Sequence, residues 1–371
     1  MEKKKNDFIA QGSILAVASI LVRVMGMIYR IPMTAIIGDK GNGFYSYAYS
    51  VYTILLLLSS YSLPLAVSKM VSAKAQLGQW RNVKRVFICA IAFAIGIGTT
   101  FGLIVLIGAQ FFTRVFFHSE LAAIALRFMA PTILIMALLG VFRGFFQGLQ
   151  NTLPTAVSQI VEGLINAIMS VVFAYFLFDF GHGMDAASGT TDLGYAWGAA
   201  GGAIGTGAGA LAGLIFCFIL FVAYRKILAV NISRDKTGTQ QEYGDIFRLM
   251  LSIALPVILS TALYNLIELV DGSLFNNIMA SKGMEDVKDS MWGAYNAKAL
   301  LLVHIPVSIS SAMAVSLVPT LTAAYALGDE QTAKSKVHAI LRFISILAFP
   351  SAVGLLVHSI SCLAARCLCL S

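Results

Sequence analysis

The chain is 371 residues long, 58% of them hydrophobic and only 12% charged, with a mean hydropathy of +0.82. A soluble protein of this length carries about 25% charged residues to cover its core. Half that share, with apolar runs of about twenty residues recurring along the chain, excludes a water-soluble fold and makes lipid the solvent.

The runs are continuous rather than alternating, which argues for helices and against a β-barrel. An all-α polytopic membrane protein of about nine transmembrane helices is expected. The spans fall near 9–31, 44–68, 86–110, 122–146, 154–178, 196–223, 247–279, 296–324 and 337–360. The first run holds Arg23 and Arg30 and lacks a small-residue cleavage pattern, so it reads as a span and not a signal peptide. Several runs exceed the length of a span, so tilt, kinks or ends projecting into water are expected.

The 26 Lys and Arg are unevenly placed. Lys3, Lys4, Lys5, Lys69, Lys74, Arg81, Lys84, Arg85, Arg143, Arg225, Lys226, Arg234, Lys236, Arg248, Lys334, Lys336 and Arg342 fall on one side. The other side has Lys40, Arg114, Lys282, Lys288 and Arg366, among Asp179, Asp185, Asp192, Glu285, Asp286 and Asp289. The positive-inside rule then puts the N-terminus in the cytoplasm. The net charge of +8 thus reflects topology and anionic headgroups. No nucleic-acid partner is expected, since no fold signature for one accompanies the charge.

Arg23 and Arg30 lie seven residues apart on helix one, hence on one face. An arginine at mid-membrane costs a few kcal/mol even on lenient scales, so it seldom faces lipid. Either Arg30 snorkels outward while Arg23 pairs with a carboxylate, or the two form the cationic wall of a cavity for an anionic substrate. Glu162 and Asn166, spaced i,i+4 on helix five, form a second polar face. Tyr264, Asn265, Glu268 and Asp271 form a third on helix seven. These acids are candidates for cavity charge or for coupling to Na⁺ or H⁺, with a salt bridge such as Glu162 to Arg23 as the structural alternative. Lys298, near the outer start of helix eight, either snorkels or touches substrate.

Residues 198–213, GAAGGAIGTGAGALAG, put small residues at four-residue intervals, which suits close helix packing or a groove for a lipid tail. Intramembrane Pro64, Pro131, Pro256, Pro306, Pro319 and Pro350 predict kinks. Cys89 and Cys217 sit singly in spans, and Cys362, Cys367 and Cys369 crowd the tail without a metal-ligand pattern. The histidines are scattered and no catalytic grouping is present, so neither an enzyme nor a bound metal or cofactor is expected.

The ends of helices two (62–87) and eight (316–343) share an apolar proline, small residues, a Gly-containing turn and a basic amphipathic stretch. Both connections come out cytoplasmic, six spans apart, which is the parity of a parallel repeat. The expected layout is a six-helix lobe (1–223), a basic linker (224–247), a partial second lobe of three helices (248–360) and an atypical tail (361–371). A six-span repeat needs about three more helices, so a chain cut short near residue 358 is expected.

Three stretches, RVMGMIYRIPMTAIIGDKGNGFYSYAYSVY (23–52), VFRGFFQGLQNTLPTAVSQIVE (141–162) and AVSLVPTLTAAYALGD (314–329), carry a resemblance. The chain resembles the polysaccharide-exporter branch of the multidrug/oligosaccharidyl-lipid/polysaccharide (MOP) superfamily, in its group of MurJ-like lipid II flippases and stage V sporulation B proteins. The resemblance covers about residues 8–355. It implies a MATE-like, two-lobed bundle around a cationic cavity, with the second lobe here incomplete. It also implies alternating access that moves an undecaprenyl-diphosphate-linked saccharide to the outer leaflet of a bacterial plasma membrane. The family's helix-one arginines correspond to Arg23 and Arg30, and its helix-eight arginine to Lys298 in YNAK. A further helix-two arginine of the family has no counterpart here.

The expected function is therefore a flippase for a lipid-linked cell-wall precursor, with Arg23, Arg30 and Lys298 at the diphosphate and cell-wall synthesis proteins as partners. Two rivals are a cation-coupled multidrug antiporter, which wants an acidic aromatic cavity, and a membrane scaffold without transport.

Overall fold

A computed structural model describes residues 17–189, 191–238, 240–300, 302–303, 306–307, 310 and 330–369. At 60–61, 186–188, 260, 262–264, 268, 332 and 358–369 only the backbone is described. Among the described residues, all regular structure is helical. The elements are α1 (Val17–Ile28), α2 (Arg30–Leu56), α3 (Leu63–Gln76), α4 (Trp80–Phe117) and α5 (Ala122–Gly148). They continue as α6 (Leu153–Ser188), α7 (Leu193–Ser233), α8 (Tyr243–Ser281), α9 (Glu285–Ala294) and α10 (Glu330–Cys369).

α1 runs into the start of α2 without a break, because the Tyr29 N–H donates to the Met25 carbonyl at 3.1 Å and the Met33 N–H to that of Tyr29 at 3.2 Å. The helix breaks at Gly38, where φ 63° and ψ −176° are open to glycine and strained for other residues. The first crossing ends there and the second begins. A π-turn at Leu57–Tyr61 joins α2 to α3, and Pro64 stands in the first turn of α3, where its missing N–H leaves no bond unmade.

Among the described residues, six helical segments are long and apolar enough to cross a membrane: Arg30–Gln76, Trp80–Phe117, Ala122–Gly148, Leu153–Asp185, Leu193–Ser233 and Ala333–Val357. The expected span 296–324 lies largely outside the described residues, as do Pro319 and much of the repeat at 316–343. Pro131, Pro256 and Pro350 sit inside α5, α8 and α10. Helices overrun the expected spans. The 41 residues of α7 reach about 60 Å at 1.5 Å per residue, twice a bilayer core. The stretch 224–247 is accordingly helical up to Ser233 and again from Tyr243, so the connection proper is 234–242.

Glycines 201, 205 and 209 of α7 lie on α6. A Cβ on Gly201 would overlap the backbone of Phe173 and Ala174, one on Gly205 would overlap Ser170, and one on Gly209 would come within 2.6 Å of the Glu162 carbonyl. The small-residue run is thus a packing surface between α6 and α7, not a groove for a lipid tail. Among the described residues, two apolar cores fill the bundle. One gathers Ile37, Phe44, Tyr47, Phe117, Met129 and Trp292. The other gathers Val67, Phe87, Phe145, Cys217 and Met250. Outward-facing apolar side chains such as Ile107 and Phe349 are left to the lipid.

Candidate functional site

The site is built from the outer half of α1–α2 and the turn that follows α9. Tyr29, Arg30, Met33, Asn42, Tyr45, Ser46 and Tyr49 face Asn296, Ala297 and Leu300 across a cavity of about 160 Å³. Helical spacing explains the lining, since positions 42, 45, 46 and 49 lie along one stripe of α2. The Tyr45 and Tyr49 rings stack at 5.8 Å, and the Tyr45 hydroxyl lies 3.4 Å from the Thr206 hydroxyl of α7. Of the two helix-one arginines, the structure brings Arg30 to this cavity and leaves Arg23 exposed on α1.

Lys298 follows the cavity-lining Ala297 in the chain and donates to the Asp39 carboxylate at 2.7 Å. That pair joins the end of the first crossing to the turn after α9. The neighbouring contacts are closer still. A Cβ on Gly43 would overlap the Asp289 carbonyl, and one on Gly293 would overlap that of Asp39. Only glycine at both places lets α2 and α9 meet backbone to backbone.

The same seam holds a buried polar group. Tyr47 donates to the Asn276 side-chain oxygen at 3.0 Å, its ring stacked on Phe117 at 4.7 Å. Lys288 donates to the carbonyls of Phe117 at 3.1 Å and His118 at 2.6 Å. These are the last carbonyls of α4, which a cation suits by charge. Lys40 donates to Asp192 at 2.7 Å, and Asp185 accepts the N–H groups of Leu193 and Gly194, each at 2.9 Å, capping α7 from the preceding helix. Lys288 and Asp289 precede the eighth expected span. Burial pulls the Lys288 ammonium below its usual range and pushes the Asp289 carboxyl above its own, against the pull of Lys288 and Lys40.

Glu162 lies elsewhere. Its carboxylate accepts from Arg143 at 2.6 Å, and the same guanidinium donates to the Ser158 hydroxyl at 2.8 Å. The pair is mostly buried between α5 and α6. The salt bridge is therefore made by Arg143 and not by Arg23, a correction to the sequence-based expectation. Arg143 reads as a cytoplasmic charge because it stands near the end of α5, which closes at Gly148. Its partner sits on α6, which starts at Leu153, and meets it only once the two helices fold back on each other. Asn166 accepts from the Ser170 hydroxyl at 2.8 Å and packs under Gly209, in the α6–α7 interface. On α8, Asn265 donates back to the Thr261 carbonyl at 2.8 Å and Asp271 is exposed. The side chains of Tyr264 and Glu268 lie outside the described residues.

The 234–242 connection is tied to the start of α4. The Asp235 carboxylate accepts the Arg81 N–H at 2.9 Å, the Thr237 N–H at 3.0 Å and the Thr237 hydroxyl at 2.6 Å. Those bonds, the one from the Arg81 N–H foremost, hold its carboxyl down to about 2. Arg85 donates to the Gln241 carbonyl at 2.6 Å and the Gln240 side-chain oxygen at 2.7 Å.

Sequence reading reaches Arg30 and Lys298 and misses Asp39, Asn42, Tyr45 and Asn296. The polar turn GDKGNG at 38–43 and the Asn in YNAK were the available signals.

The polysaccharide biosynthesis protein family matches residues 8–324, well over half of the chain. The chain belongs to that family. It is 26% identical over 354 residues to the lipid II flippase MurJ of Bacillus subtilis (strain 168), covering 92% of this chain and 62% of the relative. To stage V sporulation protein B of the same organism it is 25% identical over 323 residues, covering 86% and 58%. The chain thus spans about three fifths of the length of these curated relatives. Its fold is that of MOP-superfamily transporters. A Pyrococcus furiosus member described as having a binding pocket of reversed polarity matches with a TM-score of 0.56 at 16% identity, over 92% of this chain and 69% of the other. An inward-facing multidrug MATE transporter matches with a TM-score of 0.60 at 13% identity, over 92% and 67%. With its apolar spans, this family member is a multi-pass membrane protein.

Proposed function

We propose that this family member carries the headgroup of a lipid-linked saccharide, such as lipid II, from the inner to the outer leaflet of a bacterial plasma membrane. The observation that supports this reading best is Arg30, turned into a cavity that it shares with phenol and amide side chains. A fixed guanidinium matches a diphosphate bidentately. Tyr45 and Tyr49 offer ring faces to a sugar, and Asn42 and Asn296 offer amides to its hydroxyls. Lys298 adds a second cation once a phosphate displaces Asp39 from it. The prenyl tail stays in the bilayer while the headgroup crosses. A cavity with a cationic wall suits an anion better than the cationic drugs of the rival antiporter reading.

Binding is the first test. Native mass spectrometry of the full chain is expected to retain a polyprenyl-diphosphate saccharide, with Arg30→Ala weakening it about tenfold or more, as loss of a charge-assisted hydrogen bond implies. Equal retention of the unphosphorylated polyprenyl saccharide, or an Arg30→Ala variant that binds as well as the parent, contradicts the reading.

A further inference from the structure

The transport reading leaves Asp289 unused, although it is the buried carboxylate at the seam between α2 and α9. It is 9% exposed, and among the described residues its Oδ1 has no hydrogen-bond partner. The groups around it are committed elsewhere. Of the two nearby ammonium groups, Lys40 is on Asp192 at 2.7 Å and Lys288 is on the Phe117 and His118 carbonyls. Asp39 faces Lys298, and Glu285 is exposed on α9's own first turn.

The single proton of Tyr47 decides the state of the carboxyl. A phenol has one proton, and that of Tyr47 goes to the Asn276 side-chain oxygen at 3.0 Å. The Asn276 amide is held in that orientation because its nitrogen donates to the Gly272 carbonyl at 2.8 Å. Tyr47 also lies beside Asp289, and its hydroxyl favours the ionised carboxylate when its proton turns that way. An ionised Asp289 would draw that proton from Asn276 and leave the Asn276 oxygen unpaired beside a buried charge. A protonated Asp289 leaves the Tyr47–Asn276 bond in place and buries no charge.

We propose that Asp289 is a proton-binding site, and that its proton holds the outer ends of α2 and α9 together. Separating the two helices would bring water to the carboxyl, which then ionises and releases the proton on the outer side. With the proton bound, Gly43 and Gly293 keep their backbone contacts with Asp289 and Asp39. The closed state favours the acid form. Closure is therefore complete below the ordinary carboxylate pKa and weakens as pH rises through the raised value, the direction burial gives. Lys288, Lys40 and the Tyr47 hydroxyl oppose this and Asp192 reinforces it. Proton binding here needs no particular substrate and stands apart from the transport reading.

The test uses the full chain in lipid vesicles, with spin labels at Ala35→Cys on α2 and Val287→Cys on α9, both exposed positions, and the five native cysteines replaced by alanine. Pulsed spin-distance measurements across mildly acidic to alkaline pH are expected to show one short distance in acid and a growing longer population in base. Asp289→Asn is expected to keep the short distance throughout. Tyr47→Phe, which removes a hydroxyl that favours the ionised form, is expected to move the midpoint towards base. Infrared difference spectra should show a carboxylic-acid carbonyl band under the acidic conditions that give the short distance, and it should disappear in Asp289→Asn, a readout that survives if label pairs perturb the seam. A pH-independent distance, or an acid band unchanged in Asp289→Asn, overturns the proposal. Loss of saccharide binding in Arg30→Ala leaves these readouts untouched, so the two readings fail separately.

Discussion

Arg143 and Glu162 meet at 2.6 Å with 11% and 24% of their side chains exposed. Each is tolerated there because the other is present, and Ser158 takes a second guanidinium N–H. Arg143→Ala would leave Glu162 as an uncompensated charge, at a cost of about 3 kcal/mol or more. Replacing both, as Arg143→Met with Glu162→Leu, should cost much less than that single change. Thermal unfolding in detergent distinguishes the cases, and an Arg143→Ala variant as stable as its parent would show the pair to be dispensable. Asp235 behaves differently with pH. Its carboxyl, held at about 2 by its hydrogen bonds, stays ionised in mild acid. The tie between the 234–242 connection and α4 is thus present above the ordinary carboxylate range and lost only as pH falls through about 2. Hydrogen exchange of the Arg81 and Thr237 amides, corrected for its intrinsic pH dependence, should show equal protection in mild acid and at neutral pH. In Asp235→Ala that protection should be lost at both.

At the scale of elements, two glycines decide how α2 and α9 meet. Gly293→Ala would drive a Cβ into the Asp39 carbonyl, which is backbone and yields only if the helix moves. Overpacking of this kind costs roughly 1–3 kcal/mol. The variant is expected to lose stability and to cross-link poorly between Asp39→Cys and Lys298→Cys. Gly183→Ala supplies the control, since a Cβ there meets nothing within 4 Å and alanine favours the helix. Should both variants behave alike, the close contact would carry no weight in the seam.

For the whole molecule, the apolar runs disclose where helices cross, because lipid demands long stretches without charge. They disclose the ends less well. α4, α7 and α8 run on into water as extensions that hydropathy alone does not mark. The site was legible where a residue is costly in lipid by its type, as with Arg30. It was not legible where cost depends on a neighbour. Arg143 reads as an interfacial cation until α6 brings Glu162 beside it. Asp289 reads as an outer-loop acid until Gly43 lets α2 cover it. Residue type and spacing determine which faces are polar, and only the packing of distant helices determines which of them meet.

The proposed movement of a lipid-linked saccharide past Arg30 is tested most directly by the leaflet distribution of that lipid in cells depleted of this protein. The expected result is build-up in the inner leaflet, reversed by the parent chain and not by Arg30→Ala. An unchanged distribution on depletion, or full rescue by Arg30→Ala, would contradict it.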